Sequence, residues 1–195
     1  MSDEKHSWRI LRTEPGPDLQ LFQARYDWVE NPRNGRIMKA VVLQAPDWVN
    51  IVAVTSEKKV VVVSQYRLGI RRQTIEIPAG IIESDETPEQ AAKRELSEET
   101  GYTSTTWKYL GWVEANPAFM NNRCHIWLAC EAQRTAKPDL DVGEDISIQE
   151  LSIDEVWTEI QSGRMRNIYS LVALARVYDF HGELEHNPPT PEQKR

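Results

Sequence analysis

The chain has 195 residues, 40% of them hydrophobic and 27% charged, and a formal net charge of −7. These are the proportions of a soluble globular protein with length for one good-sized core. The negative balance makes a nucleic-acid backbone an unsuitable partner, although local arginines and a metal still allow phosphate binding.

Residues 8–30 alternate in the manner of strands with two usable faces. Asn31-Pro32-Arg33-Asn34-Gly35 is a turn signal, and a further strand is expected over 36–43. Residues 1–45 therefore read as an N-terminal antiparallel sheet. So small a sheet cannot bury its own core, and is expected to lie on the main domain or on a second subunit. Buried strands follow at 48–54 and 60–66, joined by the polar turn Ser56-Glu57-Lys58-Lys59. Arg71 and Arg72 fall in a loop, and 74–77 is another short strand. Pro78-Ala79-Gly80 then leads into the most informative stretch, residues 80–102.

Beyond it, strands are expected at 107–115 and 123–130, with the loop Asn116–Asn122 between them. Residues 131–145 are polar and acidic and read as a long loop, and 146–151 is the last strand. Ser152 caps a helix running through Gln161. A second helix is expected over 166–180, and residues 181–195 form a mobile polar tail. This element order predicts an α+β fold with a helix–sheet–helix sandwich over 46–180. Cys124 and Cys130 are the only cysteines. They lie in a strand-like run and suit a reducing compartment. The polar start MSDEKHSWRI is not a signal peptide, no apolar run approaches a membrane span, and the cytoplasm is the expected location. The four histidines form no metal-spaced pair.

Within residues 80–102, Thr87 has the position of an N-cap, with Gln90 three residues on as its reciprocal partner. Pro88 suits the first helical position, and Gly101 suits a left-handed terminator. In such a helix Glu95, Glu98 and Glu99 share an arc of roughly 100° at 3.6 residues per turn. Arg94 can pair with Glu98, but one cation does not neutralise three carboxylates. The surplus negative charge suits a hard divalent ion such as Mg²⁺, which accepts carboxylates while retaining waters and substrate phosphates.

The spacing of Gly80, Glu86, Arg94, Glu95, Leu96, Glu98, Glu99 and Gly101 resembles the box of the Nudix hydrolases. Tyr102 departs from the usual aliphatic residue at a position that packs rather than reacts. The resemblance implies an α/β/α sandwich with a mixed central sheet. In ADP-ribose-type members, the N-terminal sheet crosses to a partner in a homodimer. The activity implied is Mg²⁺-dependent hydrolysis of a nucleotide diphosphate, with Mn²⁺ as a possible substitute. The ligands implied are Glu95, Glu98, Glu99 and the Ala79 carbonyl, with Glu98 as ligand or base and Arg94 holding the glutamates. Glu86 is assigned to the loop–helix geometry. In similar enzymes the acidic loop supplies a further ligand or the general base, which here points to Glu144, with Asp141 as a substitute and Val142 where relatives carry the base.

Pro117 stands where ADP-ribose hydrolases of this family carry a proline, and Arg67 matches an arginine that touches the diphosphate in relatives. Asn122 replaces a glutamate that grips the terminal ribose, which opens the sugar preference. Trp28, Trp48 and Tyr26 are candidates to stack on a nucleobase. The expected function is hydrolysis of nucleoside diphosphate sugars. A dinucleoside polyphosphate hydrolase and a non-catalytic nucleotide-sugar sensor are the alternatives.

Overall fold

A computed structural model describes residues 7–179, which fall into two units. The expected tail over 181–195 and the end of the expected last helix at Phe180 lie outside these residues.

One unit comprises residues 7–47 with Val113–Cys124. Its sheet is a three-stranded antiparallel meander of β1 (Arg9–Asp18), β2 (Gln23–Glu30) and β3 (Ile37–Gln44). The turn between β2 and β3 closes through the Gly35 N–H on the Asn31 carbonyl at 2.9 Å. Among the residues of these three strands only Ala24 and Asp27 are buried, while Ile10, Ile37, Met38 and Val41 stay about half exposed or more. The Arg12 guanidinium lies 3.9 Å over the Trp28 ring, and the Lys39 ammonium 3.7 Å over Tyr26.

The other unit comprises Trp48–Trp112 and residues 125–179. Its sheet starts with β4 (Trp48–Thr55), β5 (Val60–Arg67), β6 (Arg72–Glu76) and β7 (Ala79–Ile81). Helix α1 (Pro88–Thr100) follows, then β8 (Tyr102–Thr103), β9 (Thr106–Glu114), β10 (Arg123–Arg134) and β11 (Ile146–Leu151). Helices α2 (Ile153–Gln161) and α3 (Ile168–Ala175) complete it. The strand order is β11-β5-β4-β10-β8, with β6 on β5, β7 on β4 and β9 on β10.

Strand alternation turns this sheet into the middle layer of a sandwich. Successive side chains point to opposite faces. Val49, Ile51 and Ala53 of β4 share a buried cluster with Ala91, Ala92 and Leu96 of α1. Val52, on the opposite face, is buried too. That side carries α3, whose Tyr169 meets Trp48 of β4, while α2 packs on β11. β4 is therefore covered on both faces, which explains its nearly unbroken apolar run.

Four expectations need correction. The loop expected over 131–145 begins later, because β10 continues to Arg134, where Gln133 and Arg134 pair with Thr103 and Tyr102. The polar sequence hides a strand end held by backbone pairing with β8, the edge strand of the order. The strand expected from 74 starts at Arg72, which pairs with Arg67. The last helix starts at Ile168, because the Asn167 side chain accepts the Tyr169 and Ser170 N–H groups as an N-cap, and it ends at Ala175. Residues 79–81, where no strand is expected from the sequence, form β7. Three residues are too few to show a period, and this pairing is made by β4.

Candidate active site

The carboxylate cluster rests on α1. Its start is fixed by a capping box in which Thr87 accepts the Gln90 N–H and the Gln90 side chain accepts from Thr87, with Pro88 in the first turn. Gly101 ends it with φ of +72°, and a Cβ there would meet the Ala136 carbonyl oxygen at 2.2 Å. Only glycine tolerates both demands. Ala91, Ala92 and Leu96 bury one stripe of the helix against β4. Anchoring that stripe fixes where Glu95, Glu98 and Glu99 lie. Tyr102 packs, as expected: it is buried, and its hydroxyl donates to Glu150 of β11. Burial and that hydrogen bond push the phenol up to about 12.

Glu95, Glu98 and Glu99 line one cavity of about 410 Å³. Ala79 and Gly80 of β7, Arg67 and Gln65 of β5, and Asp139, Asp141 and Glu144 of the acidic loop line it as well. Glu99 is only 3% exposed and accepts the Ala79 N–H at 3.0 Å. Burial pushes its carboxyl up to about 8, with the Glu95 and Glu144 charges acting in the same direction against the Ala79 bond. Burial also raises Glu95, against the pull of Arg94. Gly80 leaves room for that carboxylate, since a Cβ on it would lie 1.9–2.3 Å from the Glu95 carboxyl atoms.

Arg94 is the hub of the cluster. It donates to Glu86 at 2.7 and 2.8 Å, to Glu95 at 2.8 Å, to Glu98 at 2.9 Å and to the Ile81 carbonyl at 3.0 Å. The Arg94 hydrogen bond holds Glu86 below the usual carboxylate range. Glu86 also accepts the Glu83 N–H at 3.2 Å, which secures the loop entering the helix. In the acidic loop, the Asp139 N–H donates to the Glu98 carbonyl at 2.9 Å. Asp141 and Glu144 bond each other, through the Asp141 N–H on the Glu144 carboxylate at 3.1 Å and the Glu144 N–H on the Asp141 carbonyl at 2.9 Å. Val142 is fully exposed.

The donor set fits a hard divalent cation in kind, because every candidate ligand is an oxygen and the cluster is short of positive charge. Among the described residues no three carboxylates already converge as a cage. Arg94 occupies Glu95 and Glu98, and Glu99 is turned to the Ala79 amide. The candidates to hold such an ion are Glu95, Glu98, Glu99 and Glu144 with the Ala79 carbonyl.

The sequence candidates divide as follows. Arg67, Ala79, Arg94, Glu95, Glu98, Glu99, Asp141 and Glu144 come together in the cavity lining. Trp48, Trp28 and Pro117 are not part of that lining. Trp48 packs edge-on against Tyr169 with ring centroids 5.5 Å apart. Trp28, Tyr26 and Pro117 belong to the first unit, with Pro117 in an exposed turn. Asn122 is buried, and its amide donates to the Pro46 carbonyl at 3.0 Å.

One group escaped the sequence reading. Glu76, 2% exposed, accepts from Arg67, Thr74 and Asn167. The available signal was a carboxylate between Ile75 and Ile77 in a strand, which has to be paired when buried.

An acidic helix anchored on a covered sheet, with an arginine and an acidic loop around one cavity, defines a metal-assisted phosphate-chemistry class of protein. The NUDIX domain model matches residues 46–172, and the chain belongs to the Nudix family. It is 31% identical to the methanol dehydrogenase activator of Bacillus methanolicus, over 85% of this chain and 90% of that one. It is 35% identical to the ADP-ribose pyrophosphatase of Bacillus subtilis, over 72% and 75%. A crystal structure described as an ADP compounds hydrolase superposes with a TM-score of 0.79 at 20% identity, covering 90% of this chain and 95% of that one; it supports the fold.

Proposed function

We propose that this protein hydrolyses the diphosphate of nucleoside diphosphate sugars of the ADP-ribose type, yielding a nucleoside monophosphate and a sugar phosphate. Mg²⁺ is the working cation, with Mn²⁺ as a substitute. The observation that carries the reading is the single cavity lined by Glu95, Glu98, Glu99, Glu144 and Arg67. Cleaving a phosphoanhydride with water depends mainly on positioning and charge neutralisation. A bound divalent cation supplies positive charge opposite the diphosphate oxygens and lowers the pKa of the attacking water.

The chain's own residues do the rest. Arg67 binds the diphosphate. Glu98 or Glu144, with Asp141 as the substitute, takes the proton as the water oxygen bonds to phosphorus and the bridging P–O bond breaks. Glu98 suits this role because its side chain is the most exposed of the three helix glutamates. Arg94 keeps Glu95 and Glu98 oriented. Pro117, Trp28 and Trp48 remain the candidates for contacts to the rest of the nucleotide. The apolar surface of the N-terminal sheet fits a homodimer interface, and the setting proposed is the cytoplasm.

The test is product analysis with Mg²⁺ and a panel of ADP-ribose, other nucleotide sugars and a dinucleoside tetraphosphate. The expected products are a nucleoside monophosphate and a sugar phosphate. Turnover of the dinucleoside compound alone would replace this substrate class with the alternative.

A further inference from the structure

Arg67 ends β5 and Glu76 ends β6, and the two strands pair antiparallel. Arg67 places a two-pronged fork on Glu76, with Nε on Oε1 at 2.9 Å and Nη2 on Oε2 at 2.7 Å. The Thr74 hydroxyl adds a bond to Oε1 at 2.6 Å, and the Asn167 amide adds one to Oε2 at 2.7 Å. Each oxygen of this buried carboxylate thus accepts two bonds. The third guanidinium nitrogen of Arg67, Nη1, makes no hydrogen bond among the described residues, and Arg67 lines the cavity.

Stability alone does not call for this arrangement. Replacing a buried ion pair with apolar groups of similar volume is often neutral or stabilising, so the network's product is geometry. Arginine has several rotatable bonds, and a bidentate partner fixes the plane of its guanidinium. The partner is itself fixed from behind. Asn167 caps α3 while donating to Glu76, and the Ile77 N–H donates to the buried Ser170 hydroxyl of α3 at 3.2 Å. The Ile75 N–H donates to the Arg164 carbonyl at 3.2 Å.

We propose that Glu76 is a positioning residue: its carboxylate sets the Arg67 guanidinium so that Nη1 meets the substrate diphosphate, and Asn167 ties that setting to the first turn of α3. This rests on the proposed hydrolysis of nucleotide sugars in this cavity. Glu76 itself touches no reacting atom in this account.

The test is a double-mutant cycle in kcat/KM, using ADP-ribose with Mg²⁺ and the variants Glu76→Gln, Arg67→Lys and their combination. Lysine cannot make the fork. Glu76→Gln is expected to lower kcat/KM roughly 10- to 100-fold, mainly through KM, the scale of an angstrom-sized misplacement. In the Arg67→Lys background the same change is expected to cost less than about 3-fold, because the group it positions is gone. Equal losses in both backgrounds would mean general structural damage and would overturn the proposal, as would a silent Glu76→Gln beside a damaging Arg67→Lys. A silent Arg67→Lys removes the diphosphate contact and the proposal with it. A wild-type protein inactive on every nucleotide sugar fails at the earlier step, before the cycle is read. Should Glu76→Gln not fold, Thr74→Val removes one donor to the same carboxylate without changing charge. It is expected to show a smaller loss that again disappears with Arg67→Lys, and an equal loss in both backgrounds overturns the proposal.

Discussion

Gly80→Ala separates activity from stability at one atom. A Cβ on residue 80 would stand 1.9 Å from the Glu95 carboxyl carbon, where ordinary contact begins at 3.4 Å. The glutamate must therefore retreat by about 1.5 Å. It is the free end of a flexible side chain, so the fold can yield there. Gly80 needs no left-handed backbone, and alanine at a compatible position stabilises by about 0.4–1 kcal/mol through the unfolded chain. The net stability change is expected to stay within about 1 kcal/mol, or a Tm shift under about 4 °C for a chain of this size. Displacing a proposed ligand carboxylate by more than an angstrom is expected to cost about 100-fold in kcat/KM. Steady-state kinetics at saturating Mg²⁺, with a thermal melt of the same preparation, reads both. Activity within twofold of wild type would show that the close approach of Glu95 to residue 80 is dispensable. A fall of more than 10 °C in Tm would show that the effect spreads through the fold, contrary to the argument.

Three further outcomes follow from α1. Glu99→Gln is expected to give a folded protein whose turnover drops by orders of magnitude, checked by the same product assay. The folded pKa of Glu99, about 8, lies above an unfolded value of about 4.3, so its contribution is complete below the unfolded value and is lost as pH rises towards 8. In EDTA the wild type should lose stability across that window by up to about 1.4 kcal/mol per pH unit, and the Gln variant should be flatter. Urea melts at pH 5.5 and 8.5 make the comparison, and parallel slopes would count against it. Leu96→Ala empties a fully buried position on the stripe of the helix that packs against β4 and should cost about 2–5 kcal/mol in the same urea assay.

The local chemistry of α1 was fully legible. Thr87, Gln90, Pro88 and Gly101 are near-neighbour signals, and the 3.6-residue period put Glu95, Glu98 and Glu99 together without knowledge of any other element. Arg94 was legible for the same reason, since its partners on the helix lie one and four residues away. The Ser152 cap and the last strand were local as well.

Pairing across the chain was another matter. β7 is three residues long and exists because β4 offers it hydrogen bonds, while β10 runs on through polar residues because β8 lies beside its end. Glu76 and Asn167 are 91 residues apart, and only the meeting of β6 with α3 joins them. Residues 80–102 thus determined the acidic helix by short-range rules of capping and periodicity, while the family was carried by the resemblance of their spacing to the Nudix box. The resemblance pointed to Arg67 and Glu144, but only the tertiary structure brings them and Gly80 into one cavity with that helix, because contacts distant in sequence arise from strand pairing and layer packing, which leave no period to read.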